Sequence, residues 1–314
     1  MKPASQPVAG EVPGAVVLTV VGPDATSFLQ GQLANDVAGL SVGGVRRSLY
    51  LNHKGHALAE VMVVRRARDE YALVEEGGAA AWVKAEFERH VIFDEVRIAG
   101  PEPARLATLQ GGSAGEGVGA VFARAFGAGA PEAERTLMLA DGFAYPRRRS
   151  ALGGYDVVSL TAPGGLPDLL AAGATLAAPA ELERLRIEAG VALAPQDAGE
   201  GVLPQEAGLA GALSYRKGCY LGQEIMARIE ARGNVKRALA RVRLAGDPRH
   251  GSGSVGAGAD AWRELRAAGR VVGRLGTVVE AGSEGFAALA VMRTDVSEGA
   301  PVTTANGVAV SVIG

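Results

Sequence analysis

The sequence predicts an α+β fold: two ferredoxin-like α+β modules followed by a small C-terminal β-barrel. Three observations carry that expectation. The order strand, helix, hairpin, strand, helix occurs twice before Pro179. From Arg237 onward the chain changes to short Val/Leu/Ala runs between glycine-rich turns, the pattern of an all-β module. A chain of 314 residues also exceeds one ordinary core, so two or three domains are expected. The expected boundaries are 1–100, 101–235 and 236–314, with the first two modules interleaved.

Ala15–Val21 reads as a buried strand turned by Gly22-Pro23, with Asp24 as N-cap of a helix through Leu33. Val45–Leu51 and Ala57–Arg65 read as a hairpin about Asn52-His53-Lys54-Gly55. A strand at Tyr71–Glu75, a helix at Ala79–His90 and a strand at Val91–Ile98 complete the first round. The second round has an apolar run at Arg105–Leu109, a helix at Gly117–Phe126 and strands at Thr136–Ala140, Phe143–Arg147 and Tyr155–Leu160, then a helix at Leu166–Ala172. Pro179 suits the first turn of a helix that ends at Ala189 before Gly190, with Leu182, Leu185 and Ala189 as its buried stripe. Residues 191–216 form a long Pro/Gly/Ala-rich connection, and long ordered loops in compact domains usually have a function. Barrel strands are expected at Ala238–Leu244, Val271–Val279, Phe286–Met292 and Val308–Ile313. Gly251–Gly256 spells G-x-G-x-x-G, but no helix opens there and no acidic residue stands at the required distance, so it reads as a turn.

Composition excludes several classes. A formal charge of −2 gives no electrostatic footprint for direct nucleic-acid binding. Arg46-Arg47, Arg65-Arg66-x-Arg68 and Arg147-Arg148-Arg149 read as solvated faces. One cysteine excludes an internal disulfide and any four-cysteine metal or iron–sulfur site built from this chain alone. His53-x-x-His56 sits on a hairpin turn without a cysteine nearby and reads as solvated. No stretch is apolar for long enough to span a bilayer, and the seven residues of Ala15–Val21 are too few for a signal peptide, so a cytosolic protein with no membrane partner is expected.

The only cysteine lies in Lys217-Gly218-Cys219-Tyr220-Leu221-Gly222-Gln223-Glu224. Beyond it Leu221, Ile225 and Ile229 recur at helical spacing, and Glu224–Arg228 is an i,i+4 acid-to-base pair. Cys219 therefore stands just ahead of a helix N-terminus, where the macrodipole and Lys217 favour a thiolate. A thiol of ordinary pKa is only about 3% ionised at pH 7, whereas one near 7 is about half ionised. The bland alternative is a small buried hydrophobe.

This K-G-C-Y-x-G-Q-E string resembles the motif of the YgfZ family, folate-binding proteins related to the glycine-cleavage T-protein (aminomethyltransferase). The resemblance extends along the chain. It includes Phe28-Leu29-Gln30-Gly31-Gln32-Leu33-Ala34-Asn35-Asp36-Val37, Leu51-Asn52-His53-Lys54-Gly55, Gly154-Tyr155-Asp156, Pro204-Gln205-Glu206-Ala207 and Lys236-Arg237-Ala238-Leu239. It implies a tetrahydrofolate cofactor and a role in assembly or repair of iron–sulfur clusters in client enzymes, tRNA-modifying ones included. The implied partners are the folate and iron–sulfur client or assembly proteins.

Arg186-Ile187-Glu188-Ala189-Gly190 resembles the segment that supplies a folate-contacting glutamate in the superfamily, and a carboxylate can accept the adjacent N–H donors of a pterin edge. Arg237 matches a basic position near the anionic side of the folate. Lys217 and Tyr220 join Glu188 and Arg237 as folate-binding candidates. Glu188→Ala is expected to weaken folate binding well beyond a surface change such as Glu183→Ala. Where the aminomethyltransferases carry an Asp-Asp pair, this chain has Ala59-Glu60, and Glu75 replaces a folate-contacting asparagine. Cys219 and Glu60 are thus the catalytic candidates, Glu60 serving the alternative reading of a folate-dependent one-carbon transferase or demethylase.

Overall fold

The computed structural model describes residues 6–111, 117–161, 163–233, 235–250, 260–297 and 299–313. The G-x-G-x-x-G string at Gly251–Gly256 lies outside them. The chain is α+β. It opens with β1 (Val8–Val12), then runs through β2 (Val16–Val21), α1 (Ala25–Gln32), β3 (Val45–Leu51), β4 (Ala57–Ala67), β5 (Glu70–Glu75), α2 (Ala80–His90) and β6 (Arg97–Pro103). Strands β2 to β6 form a sheet in the order β3-β4-β5-β2-β6. The second unit contains β7 (Arg105–Gln110), α3 (Val118–Phe126), β8 (Leu137–Leu139), β9 (Gly142–Pro146), β10 (Gly154–Ser159), α4 (Leu166–Ala171) and β11 (Thr175–Leu176).

The second sheet has the order β11-β1-β7-β10-β9-β8, so the N-terminal strand crosses into it. In the first sheet β2 is flanked by β5 and β6, both antiparallel. In the second, β7 is flanked by β10 and β1, both antiparallel, and β11 is pushed to the edge, parallel to β1. Strand β1 takes the seat that β6 holds in the first sheet. The sequence reading does not anticipate it, because its pairing partners β7 and β11 lie far along the chain, Val8 facing Gln110 on one side and Thr175 on the other.

Two local expectations need correction. Val91–Ile98 is not one strand: β6 starts at Arg97, and Ile92 and Phe93 are 73% and 94% exposed in the loop before it. Asp24 stands at the α1 N-cap position, but its carboxylate accepts the Glu95 amide at 2.8 Å instead of capping the helix.

The two sheets pack face to face, and period-2 alternation sorts their side chains. Along β4, Val61 and Val63 face α1 and α2 together with Leu18, Phe28 and Phe87. Met62 and Val64 face the other way, onto Leu106, Phe143, Tyr145 and Val158 of the second sheet. Both faces of β4 are therefore buried, which explains its nearly continuous apolar run.

After β11 come α5 (Pro179–Glu188) and α6 (Gln223–Arg232), then a closed barrel ordered β12-β15-β14-β13-β16-β17. Its strands are β12 (Arg237–Leu244), β13 (Glu264–Ala267), β14 (Arg270–Glu280), β15 (Phe286–Arg293), β16 (Val302–Thr304) and β17 (Ala309–Ile313). The 191–216 connection is a packed wedge: Ala194, Ala207, Leu209 and Leu213 share one core with Leu49 and Leu51 of the first sheet and Leu289 of the barrel. Arg186, 1% exposed, fastens α5 to this wedge and to the barrel through Asp197, the Val191 carbonyl and Thr277. The α5 stripe accordingly buries Leu182, Leu185, Arg186 and Ile187, while Ala189 stays half-buried.

Candidate functional site

The cysteine loop is held by Lys217, Tyr220, Gly222 and Gln223 of its motif. Gly222 begins α6 at φ 84°, and a Cβ there would lie 2.7 Å from the Asn52 carbonyl oxygen, so both the left-handed backbone and the close approach require glycine. The Gln223 side chain reaches back to accept the Tyr220 amide at 3.1 Å. The Lys217 ammonium donates to the carbonyls of Gln30, Leu33 and, at 3.3 Å, Asn35, closing the C-terminal end of α1. Burial pulls this lysine down to about 8, against Asp36, which raises it. The same ammonium lies 4.8 Å from the Tyr220 ring centre, and burial pushes the Tyr220 phenol up to about 12. Cys219 is free and exposed.

The helix behind the loop departs from the expected stripe. Met226 is fully buried and Ile225 packs beside it, because the Asn52–Gly55 turn presses on that side of α6. Leu221 precedes the helix and is 41% exposed. No Glu224–Arg228 ion pair forms among the described residues.

Glu60 sits in β4 at the contact of the two sheets. Its carboxylate accepts Nε and Nη2 of Arg47 at 2.7 Å each, Nη2 of Arg147 at 2.7 Å and the Ala194 amide at 3.1 Å. Burial alone would raise its pKa, but the two guanidinium groups win and hold it down to about 2. A carboxylate so held carries no proton near neutrality. The chain of charges continues: Arg147 reaches Glu76 at 3.4 Å, and Arg149 bridges Glu76 at 2.8 Å and Asp156 at 2.6 Å.

The reading of the arginine runs as solvated faces is therefore wrong for Arg47, Arg147 and Arg149. Arg147 and Arg149 are 5% and 3% exposed, and their acids are Glu60 of β4, Glu76 just after β5 and Asp156 of β10. Beside this network lies a cavity of about 330 Å³, lined by Arg46, Arg47, Arg147 and Arg148 together with Gly190, Val191 and Ala192.

Glu75 is buried, and its carboxylate accepts the amides of Gly77, Gly78, Ala79 and Ala80 at 2.6 to 3.2 Å, so it caps α2. Burial pushes its carboxyl up and the four N–H groups oppose it. Glu188 stands apart from Glu60. It pairs with Arg184 at 3.0 Å and lines a cavity of about 250 Å³ with Arg241 and Arg243 of the barrel. Arg237 forms a two-pronged pair with Glu206 at 2.9 and 2.6 Å and donates to the Gly201 carbonyl, which ties β12 to the wedge. Glu183 is no neutral surface position, because it pairs with the buried Arg186 at 2.7 Å. His56 accepts the Gly201 amide at 3.3 Å, and no cluster of three or more potential metal ligands exists among the described residues.

Comparison with known proteins decides the family. The GCVT N-terminal domain family matches residues 12–127. The tRNA-modifying protein YgfZ of Edwardsiella ictaluri is 32% identical over 231 residues, spanning 72% of this chain and 68% of that protein. The chain belongs to the YgfZ family. Its counterpart in Klebsiella pneumoniae is 29% identical over 232 residues, spanning 70% of this chain and 67% of that protein. The glycine cleavage system aminomethyltransferase T of Bartonella henselae superposes with a TM-score of 0.77 over 99% of this chain and 86% of its own, at 22% identity, which shows the fold.

Placed on that fold, the six candidates fall into separate settings. Lys217, Cys219 and Tyr220 share the loop against α1, Glu60 lies in the arginine network, and Glu188 and Arg237 lie where the barrel meets α5 and the wedge. Sequence reasoning missed Arg47, Arg147 and Arg148 as cavity residues. Their signal was present as basic runs near strand ends, but the acids that pair with Arg147, Glu60 and Glu76, are 87 and 71 residues away.

Proposed function

We propose that the protein binds a tetrahydrofolate and supports assembly or repair of iron–sulfur clusters in client enzymes, including ones that modify tRNA. The observation that carries this reading is Cys219. Lys217, Tyr220, Gly222 and Gln223 are all taken up in holding the loop, and the free thiol is left exposed at its tip. A single thiolate holds no cluster alone, but it can supply one ligand to a cluster shared with a client. The names of the relatives support the tRNA connection.

The residues also fit a folate. Glu188 offers a half-exposed carboxylate at a cavity rim, suited to the paired donors of a pterin edge. The arginine-walled cavity suits an anionic group. The one-carbon-transfer alternative asks Glu60 to exchange a proton, and the contacts on its carboxylate speak against that.

The test is a calorimetric titration with tetrahydrofolate and its 5-formyl analogue. Glu188→Ala is expected to weaken binding at least tenfold, and the control Glu181→Ala to leave it unchanged. Absence of binding by folded wild-type protein would sink the folate reading. In cells lacking the native protein, Cys219→Ala is expected to fold normally yet fail to restore iron–sulfur client activity, and full restoration would remove the thiol from the mechanism.

A further inference from the structure

His56 sits where the β3–β4 turn, α6, the wedge and the barrel meet. It closes the turn: its amide donates to the Asn52 side-chain oxygen at 3.0 Å, and its carbonyl accepts the Asn52 amide at 3.0 Å. The turn packs against α6, since a Cβ at Gly55 would lie 2.6 Å from the Met226 Cε and one at Gly222 would lie 3.4 Å from the Gly55 Cα. The imidazole reaches the wedge, where Nδ1 accepts the Gly201 amide at 3.3 Å. The Gly201 carbonyl is held in turn by Nη2 of Arg237 at 2.6 Å, and Arg237 opens β12. His56 is therefore half-buried, not solvated as its place on a hairpin turn suggests.

The bond to Gly201 fixes the protonation state of the ring. A backbone N–H can only donate, so Nδ1 must offer a lone pair, and a protonated imidazole has none because both its nitrogens are donors. Burial is the largest influence on His56 and pulls it below its ordinary value of 6.5. The charged groups that face it are divided: Glu200 and Glu206 favour the proton, and Lys54 and Arg237 oppose it. Glu206 and Arg237 neutralise each other in a pair at 2.6 Å. Glu200 is exposed, directly precedes Gly201 and has no ion pair among the described residues. An imidazolium that drops the Gly201 amide therefore has a carboxylate at hand.

We propose that His56 is a proton-operated latch between the β3–β4 turn and the wedge, holding Gly201 when neutral and exchanging it for Glu200 when protonated. The latch is closed at neutral pH. Because the folded chain disfavours the proton, the unfolded chain takes it up first, so the contact is present above 6.5 and is lost as pH falls below it. Opening leaves Gly201 held by Arg237 alone. It loosens the wedge where it meets the turn that seats α6 and the cysteine loop. The latch needs neither a folate nor the thiol to operate.

The experiment is amide hydrogen exchange of the full chain, read by NMR from about pH 7.5 to about pH 5, with the His56 ring titrated in the same samples. Protection at Gly201 is referred to the exchange rate of an unstructured chain at each pH. In wild type it is expected to fall about fivefold or more across the range, with a midpoint that matches the ring titration. His56→Gln keeps a neutral acceptor and gains no proton, so its protection at Gly201 is expected not to vary with pH. Glu200→Gln is expected to move the midpoint to lower pH, and the control His53→Ala, on the same turn, to behave as wild type. Wild-type protection at Gly201 that is the same at both ends of the range overturns the latch. So does a pH dependence that persists in His56→Gln, or a His56 ring that titrates at or above its value in the urea-unfolded chain. An unmoved midpoint in Glu200→Gln overturns Glu200 as the second partner.

Discussion

Glu60→Gln separates an architectural carboxylate from a catalytic one. Glutamine keeps the size of the side chain but removes the charge that Arg47 and Arg147 share, and it turns an N–H₂ group toward guanidinium donors. Lowering a carboxyl from 4.5 to about 2 corresponds to roughly 3 kcal/mol of folding free energy at neutral pH. Breaking a buried ion pair typically costs about 3–5 kcal/mol, which agrees. Against a total stability of about 5–15 kcal/mol the loss is large. At about 2–4 °C per kcal/mol, the melting midpoint followed by far-UV circular dichroism should fall by roughly 6–12 °C at pH 7.

The pH dependence adds a second reading. Because the folded-state pKa is depressed, the stabilisation is complete above about 4.5 and is lost as pH falls toward about 2. The acid limb of the stability profile should therefore be shallower in the variant across that window. A melting midpoint within about 1 °C of wild type at pH 7 would refute the buried clamp.

Two further perturbations probe the supports of the site. Lys217→Met leaves carbonyls at the end of α1 without their donor and should cost about 1–3 kcal/mol in denaturant unfolding, while the reaction rate of Cys219 with a thiol reagent in native protein changes by less than about twofold. A tenfold slower thiol would instead restore Lys217 as its activator. Glu75→Ala removes the cap of α2 and should cost about 1–2 kcal/mol, with faster hydrogen exchange confined to the first turn of that helix. Unchanged exchange there would refute the capping role.

The helices and strands were written locally. Val45–Leu51 and the helix at Pro179 follow from apolar periodicity, a turn signal and a proline at a helix start, interactions that span only a few residues. The barrel was likewise visible as short apolar runs between glycine turns. The cysteine motif carried the family resemblance in eight consecutive residues. Partnership was not written locally. Arg147 looked like one member of a solvated basic run, because Glu60, which neutralises it, is 87 residues away. Lys217 looked like the activator of its neighbour Cys219, yet its charge is spent on carbonyls more than 180 residues earlier. Strand β1 could not be assigned to the second sheet before β7 existed to pair with it. Sequence by itself determined most of the longer helices and strands and which loop bears the thiol, since those depend on short-range geometry, but not β1 or the start of β6. Only the tertiary structure decided which charges are buried against each other, because desolvation and pairing act between residues that the fold alone brings together.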